Sequence, residues 1–170
     1  MLTGFICLMS FLSLSAQTID AEKSVVNFKA TALMVNTVER SFTGMKGVVQ
    51  FDENDLSGSS FDVCINPSSV NTENEKRDDH LKNEDFFEVS KYLEICFVST
   101  SMEKTKSGFK TIGNLTMHGI TKSIEIPFTF ENNTLKGAIE IKRLAFNIGE
   151  DYGNFTASKQ AEVEIICVLK

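Results

Sequence analysis

The chain has 170 residues, 42% of them hydrophobic and 24% charged, with a formal net charge of −6. That is enough apolar content to bury a core as one domain, and too much for a compositionally disordered chain. The acidic balance, without a long run of Lys or Arg, argues against nucleic acid as a partner, because such affinity comes mainly from neutralising phosphates.

From the N-terminus, Phe5 to Leu12 is an apolar run followed by the small residues Ser13, Ser15 and Ala16. This layout reads as a secretory signal peptide over residues 1–16, cleaved near Ala16 or Gln17, although no Lys or Arg precedes the apolar core. The run is too short to remain as a transmembrane helix, and no later stretch approaches the roughly 20 apolar residues that one needs. The expected mature domain therefore spans 17–170, and the expected location is outside the cytoplasm, periplasmic or secreted. It keeps Cys64, Cys96 and Cys167, an odd number; a Cys64–Cys96 disulfide is compatible with export.

From Ser24 onward the hydrophobic period is two. Val26, Phe28 and Ala30 alternate with polar residues, as do Val49 and Phe51, then Phe61, Val63 and Ile65. Further along, Ile95 and Phe97 alternate, then Ile124, Ile126, Phe128 and Phe130, then Ile139 and Ile141, and finally Val163 to Leu169. Each run predicts a strand with one wet and one dry face. Turn chemistry falls between them at Asn54-Asp55, Ser107-Gly108, His118-Gly119, Asn132-Asn133 and Gly153-Asn154. The sum is an all-β fold, an antiparallel lipocalin-like barrel of about eight strands.

One stretch departs from this pattern. Thr72-Glu73-Asn74-Glu75 has the form of a capping box, and the charged segment Arg77 to Phe87 that follows predicts a helix. Only Leu81, Phe86 and Phe87 can anchor it, so it reads as a lid over the barrel.

The inward register repeatedly carries Phe, at Phe28, Phe51, Phe61, Phe97, Phe128 and Phe130, joined by Phe42, Phe87 and Phe146. Fourteen Phe stand against two Tyr and no Trp, so this aromatic content has little hydrogen-bonding capacity. A small barrel either fills its interior with such side chains or holds one ligand. Arg143 falls on the same register as Ile139 and Ile141, at a strand end. A charge there must be paired or wet, and two readings stand: the polar head of an amphiphile, or an ion pair with a lid carboxylate such as Asp78.

Several pieces, in this order, resemble the YceI-like family. They are Lys23-Ser24-Val25-Val26-Asn27-Phe28, Ser41-Phe42-Thr43-Gly44, Gly47 to Asp52, Ser69-Val70-Asn71-Thr72, Arg77 to Leu81 with Asp85-Phe86-Phe87, Ile95 to Thr100, Gly113 to Lys122, and Arg143 to Gly149. The chain departs from the family's usual pattern at Leu93, Asn114 and Ala145. The resemblance implies an exported barrel with an apolar tunnel, a helix over one side, and an isoprenoid lipid or isoprenoid quinone as partner. With a ligand implied, the inward register makes Phe28, Phe42, Phe51, Phe61, Phe87, Phe97, Ile126, Phe128, Phe130, Ile141, Arg143 and Phe146 the candidate ligand-binding positions. No cofactor is expected, and a homodimer is compatible with the sequence.

Enzymatic readings are weaker. His80 and Glu84 share a helix face beside Asp78, Asp79 and Asp85, but the second His, His118, sits in a turn. Ser68-Ser69 lacks a nucleophile elbow. Cys64 and Cys96 fall on the polar register, which suits a disulfide or surface thiols better than a nucleophile. The competing non-catalytic reading is a self-filled barrel acting through a protein partner.

Overall fold

The computed structural model describes residues 16–29, 40–151 and 158–170. Nearly all of the predicted signal peptide, Ala30 and the Gly153-Asn154 turn lie outside them.

Among the described residues nine strands form one antiparallel sheet. In chain order they are β1 (Val25–Lys29), β2 (Arg40–Thr43), β3 (Lys46–Gln50), β4 (Ser60–Ile65), β5 (Ile95–Thr105), β6 (Gly108–Met117), β7 (Ile120–Glu131), β8 (Thr134–Lys142) and β9 (Gln160–Val168). The spatial order β2-β1-β9-β8-β7-β6-β5-β4-β3 is a meander whose last strand folds back beside the first. The sheet curls into a half-barrel, leaving β2 and β3 as edges.

Other segments span the seam between those edges. Residues 17–20 cross one end, where Gln17 bridges to Val49 on β3 and Ile19 bridges to Leu169 beyond β9. At the other end Ser41 on β2 bridges to Asn71. Unpaired edge groups thus find partners without a closing ladder.

The tight turns follow from sequence. Asn132 and Asn133 both have positive φ, 51° and 57°, as do His118 (51°) and Gly119 (73°). Two consecutive left-handed residues twist a hairpin in the hand of the strands it joins.

The alternation names most strands correctly and misses two. In β6 the inward residues are Phe109, Thr111, Gly113, Leu115 and Met117, so a Thr and a Gly interrupt the apolar series. Gly113 is required there: a Cβ would stand 2.5 Å from the Phe97 ring and 2.4 Å from the Val98 carbonyl oxygen. Strand β2 has only four residues and carries an arginine.

The helical stretch yields one helix, α1 (Glu75–Lys82), followed by turns through Tyr92. Its predicted cap is displaced. Asn74, rather than Thr72, accepts the Arg77 backbone N–H at 3.0 Å. Thr72 is fully buried and otherwise engaged: its backbone N–H (2.9 Å) and its hydroxyl both donate to Asp78, while Arg77 Nε donates to that hydroxyl at 2.8 Å. Arg77 Nη2 also donates to the Thr72 carbonyl at 2.6 Å. This knot ties α1 to the segment that bridges β2. Leu81, Phe86 and Phe87 are buried, as their apolar character requires.

Candidate functional site

The interior of the half-barrel divides into two halves along the strands. Toward one end lie Phe61 on β4, Phe109 on β6, Phe128 and Phe130 on β7, and Phe51 just beyond β3. Phe51 meets Phe61, Phe109, Phe128 and Phe130 with ring centroids 5.1 to 6.2 Å apart, and Phe109 stacks on Phe128 at 5.5 Å. Edge-to-face and offset stacking of this kind packs rings densely. This end is filled.

One tier further along the same strands the aromatic side chains give way to aliphatic ones. Phe61 is followed by Val63 and Ile65, Phe128 is preceded by Ile126 and Ile124, and on β8 and β9 the tiers are Ile139 and Ile141, and Ile165, Val163 and Ala161. These residues line an open-mouthed cavity of about 180 Å³. The segment carrying α1 covers it with Leu81, Phe86 and Phe87, and Phe42, Phe97, Leu115 and Met117 complete the wall.

Burial differs between the halves. Phe51, Phe61, Phe109 and Phe128 are buried and of the cluster Phe130 alone is partly exposed, whereas Val63, Ile124, Ile139, Val163 and Ile165 all face inward yet remain only partly buried. Their remaining accessible surface is cavity wall.

Seven of the sequence-predicted positions line the cavity: Phe28, Phe42, Phe87, Phe97, Ile126, Ile141 and Arg143. Phe51, Phe61, Phe128 and Phe130 share the inward register but form the aromatic cluster instead. Phe146 is buried in the 3-10 turn that follows β8, outside the lining, with its carbonyl 3.1 Å from His118 Nδ1, which donates to it.

Two guanidinium groups enter this otherwise apolar lining, both at the end away from the aromatic cluster. Arg143 is buried, and the expected ion pair with Asp78 does not form, because Asp78 is taken by Thr72. Arg143 instead donates through Nε to the Ser158 carbonyl at 2.8 Å and through Nη1 to the carbonyls of Ile148 (2.7 Å) and Gly149. Burial pulls its pKa below the usual arginine value. It fastens the turn after β8 to the start of β9.

Arg40 differs. It lies 6.0 Å from the centre of the Phe28 ring, and its Nε is buried without a hydrogen-bond partner among the described residues. Burial first, and the nearby Arg77 charge second, lower its pKa. A buried N–H without an acceptor costs about 1–3 kcal/mol. Sequence reasoning passed over Arg40, although it stands two residues before Phe42 and so shares its face.

The cysteines resolve cleanly. Cys64 and Cys96 stand opposite one another on β4 and β5 and form a disulfide, with Cα atoms 4.1 Å apart. Cys167 is a buried free thiol whose pKa burial pushes up to about 11. Among the described residues one group of three potential metal ligands converges, Cys64, Glu94 and Cys96, and its two sulfurs are bonded to each other. The carboxylates around His80 do not gather into such a group. No helix among the described residues is long and apolar enough to cross a membrane.

Known proteins share this fold. The family model of the YceI-like domain matches residues 17–169. Protein YceI of Salmonella newport is 30% identical over 156 residues, covering 86% of this chain and 81% of that one. Among solved structures, Burkholderia cenocepacia BcnA superposes with a TM-score of 0.78 at 23% identity, covering 88% of this chain and 98% of its own. A polyisoprenoid binding domain from Saccharophagus degradans superposes with a TM-score of 0.68 at 15% identity, covering 89% and 96%. With a half-barrel, a lid helix and a family match over nearly its whole described length, the chain belongs to the YceI-like domain family.

Proposed function

We propose that this protein binds an amphiphilic isoprenoid, of polyprenyl or isoprenoid-quinone type, with its tail in the cavity and its polar head toward Arg40 and Arg143. The observation that carries this reading is the contrast in burial. Inward-facing Val63, Ile124, Ile139, Val163 and Ile165 keep accessible apolar surface inside a folded barrel. Covering such surface gains about 25 cal/mol per Å², and an isoprenoid tail covers it without leaving a hydrogen-bonding group unmatched. A carbonyl, hydroxyl or phosphate oxygen on the head supplies the acceptor that Arg40 Nε lacks. The shared fold with a domain described as polyisoprenoid binding supports the same reading.

The role is binding rather than catalysis. The chain is exported and loses residues 1–16, a placement supported by a disulfide of the kind that persists in oxidising compartments.

Native mass spectrometry of the mature chain, followed by organic extraction, tests the proposal. A stoichiometric adduct that releases an isoprenoid is the expected result. A bare chain that takes up no prenol or isoprenoid quinone when these are supplied contradicts it.

A further inference from the structure

We infer that the aromatic cluster is a floor that limits tail length, so that this barrel takes a short-tailed isoprenoid rather than a long polyprenyl chain. The inference rests on the proposed function and specifies which members of that ligand class fit.

Three observations carry it. First, Phe51, Phe61, Phe109, Phe128 and Phe130 occupy the inward positions of β4, β6 and β7 and the residue after β3, at the tier next to the cavity. Phe51 meets all four of the others, so the rings form one contiguous layer beside the cavity.

Second, the floor is held from behind. The Phe51 backbone N–H donates to Gln17 Oε1 at 3.2 Å, the Gln17 N–H donates to the Val49 carbonyl at 2.7 Å, and the Asp20 N–H donates to the Val168 carbonyl at 2.8 Å. The strap of residues 17–20 thus closes this end of the barrel. Leu135, Cys167 and Leu169 are buried there too.

Third, the space above the floor is small. A cavity of about 180 Å³ is only slightly larger than the ~150 Å³ apolar cavity known to hold one benzene. By that scale it encloses the bulk of roughly one to two isoprene units. Units beyond that capacity do not pass the floor and gain no burial in this cavity, so they add no affinity.

Titration of the mature protein with prenols of two, three, four and eight isoprene units tests this, by calorimetry or by displacement of a fluorescent apolar probe. Affinity is expected to level off at two units, with three, four and eight units binding no more tightly than two. A tunnel without a floor would instead gain more than tenfold with each added unit.

Two variants move the limit in opposite directions. Phe51→Ala opens the floor and should let four units bind at least tenfold more tightly than three. Val163→Phe fills the cavity between Ala161 and Ile165 and should weaken three units at least tenfold, which tests where the tail sits; the length series on the unaltered protein decides the floor even where Phe51→Ala does not fold. Affinity that climbs through eight units in the unaltered protein overturns the inference while leaving the proposed function standing. Failure of every prenol to bind overturns the proposed function itself.

Discussion

Arg40 and Arg143 show how one residue type serves two purposes in the wall of one cavity. Arg143 spends its donors on the carbonyls of Ile148, Gly149 and Ser158, and so holds together two segments that have no ladder between them. Arg40 keeps a buried Nε with no protein acceptor. The two substitutions should therefore separate. Arg143→Ala is expected to lower unfolding stability by about 2–4 kcal/mol, since several buried carbonyls lose their donor at once. Arg40→Ala is expected to change stability by less than about 1 kcal/mol while weakening ligand affinity roughly tenfold, the worth of one charge-assisted hydrogen bond. Denaturant unfolding paired with a ligand titration checks both. Equal effects of the two variants on both readouts would contradict the assignment. The inward register of Arg143 is readable from Ile139 and Ile141. Its partners are not, because they are backbone atoms of a turn whose path no side-chain pattern encodes. Arg40 escapes notice for another reason: four residues are too few to establish a period.

The lid is a segment stapled at both ends. The Cys64–Cys96 disulfide joins β4 to β5 across a sequence separation of 32, and the enclosed segment carries α1 with Leu81, Phe86 and Phe87. Removing it by the paired substitution Cys64→Ser with Cys96→Ser should cost about 2–4 kcal/mol, mainly through the freedom returned to the unfolded chain. Denaturant unfolding of this variant against the unaltered oxidised protein measures the loss. A stability unchanged within error would show that the disulfide constrains nothing that β4 and β5 do not already fix. The helix and its three anchors were legible as a charged run ending in Phe86-Phe87. The cap was not. Thr72 looks like a cap in sequence, yet Asp78, six residues on, competes for its hydroxyl and N–H, and Glu73 adopts a left-handed φ of 58° that places the helix start at Asn74. Such competition is decided by tertiary packing around a fully buried Thr72, which a four-residue motif does not contain.

At the scale of the molecule, one sheet does two jobs by changing side-chain size along its strands. Phenylalanine tiers fill one end, and Ile and Val tiers leave the other hollow. The barrel class, the inward register and the short turns were all readable, because period-two patterns and paired left-handed residues are local signals. The division into floor and cavity was not. Phe28, Phe42 and Phe97 carry the same side chain and register as Phe51, Phe61 and Phe128, and only the strand pairing reveals which tier each one joins. Gly113 adds to the concealment: its missing side chain makes room for the Phe97 ring, and so hides a ten-residue strand.

A bound tail occupies the aliphatic half and stops at the rings. Methyl-resolved NMR during titration with a prenol of three isoprene units tests it most directly. Large shifts are expected for the methyl groups of Ile124, Ile126, Ile139, Ile141 and Ile165, which line the cavity, and little change for Leu135 and Leu169 behind the aromatic floor. Shifts concentrated at Leu135 and Leu169, or confined to the outward-facing Val48 and Val98, would contradict it.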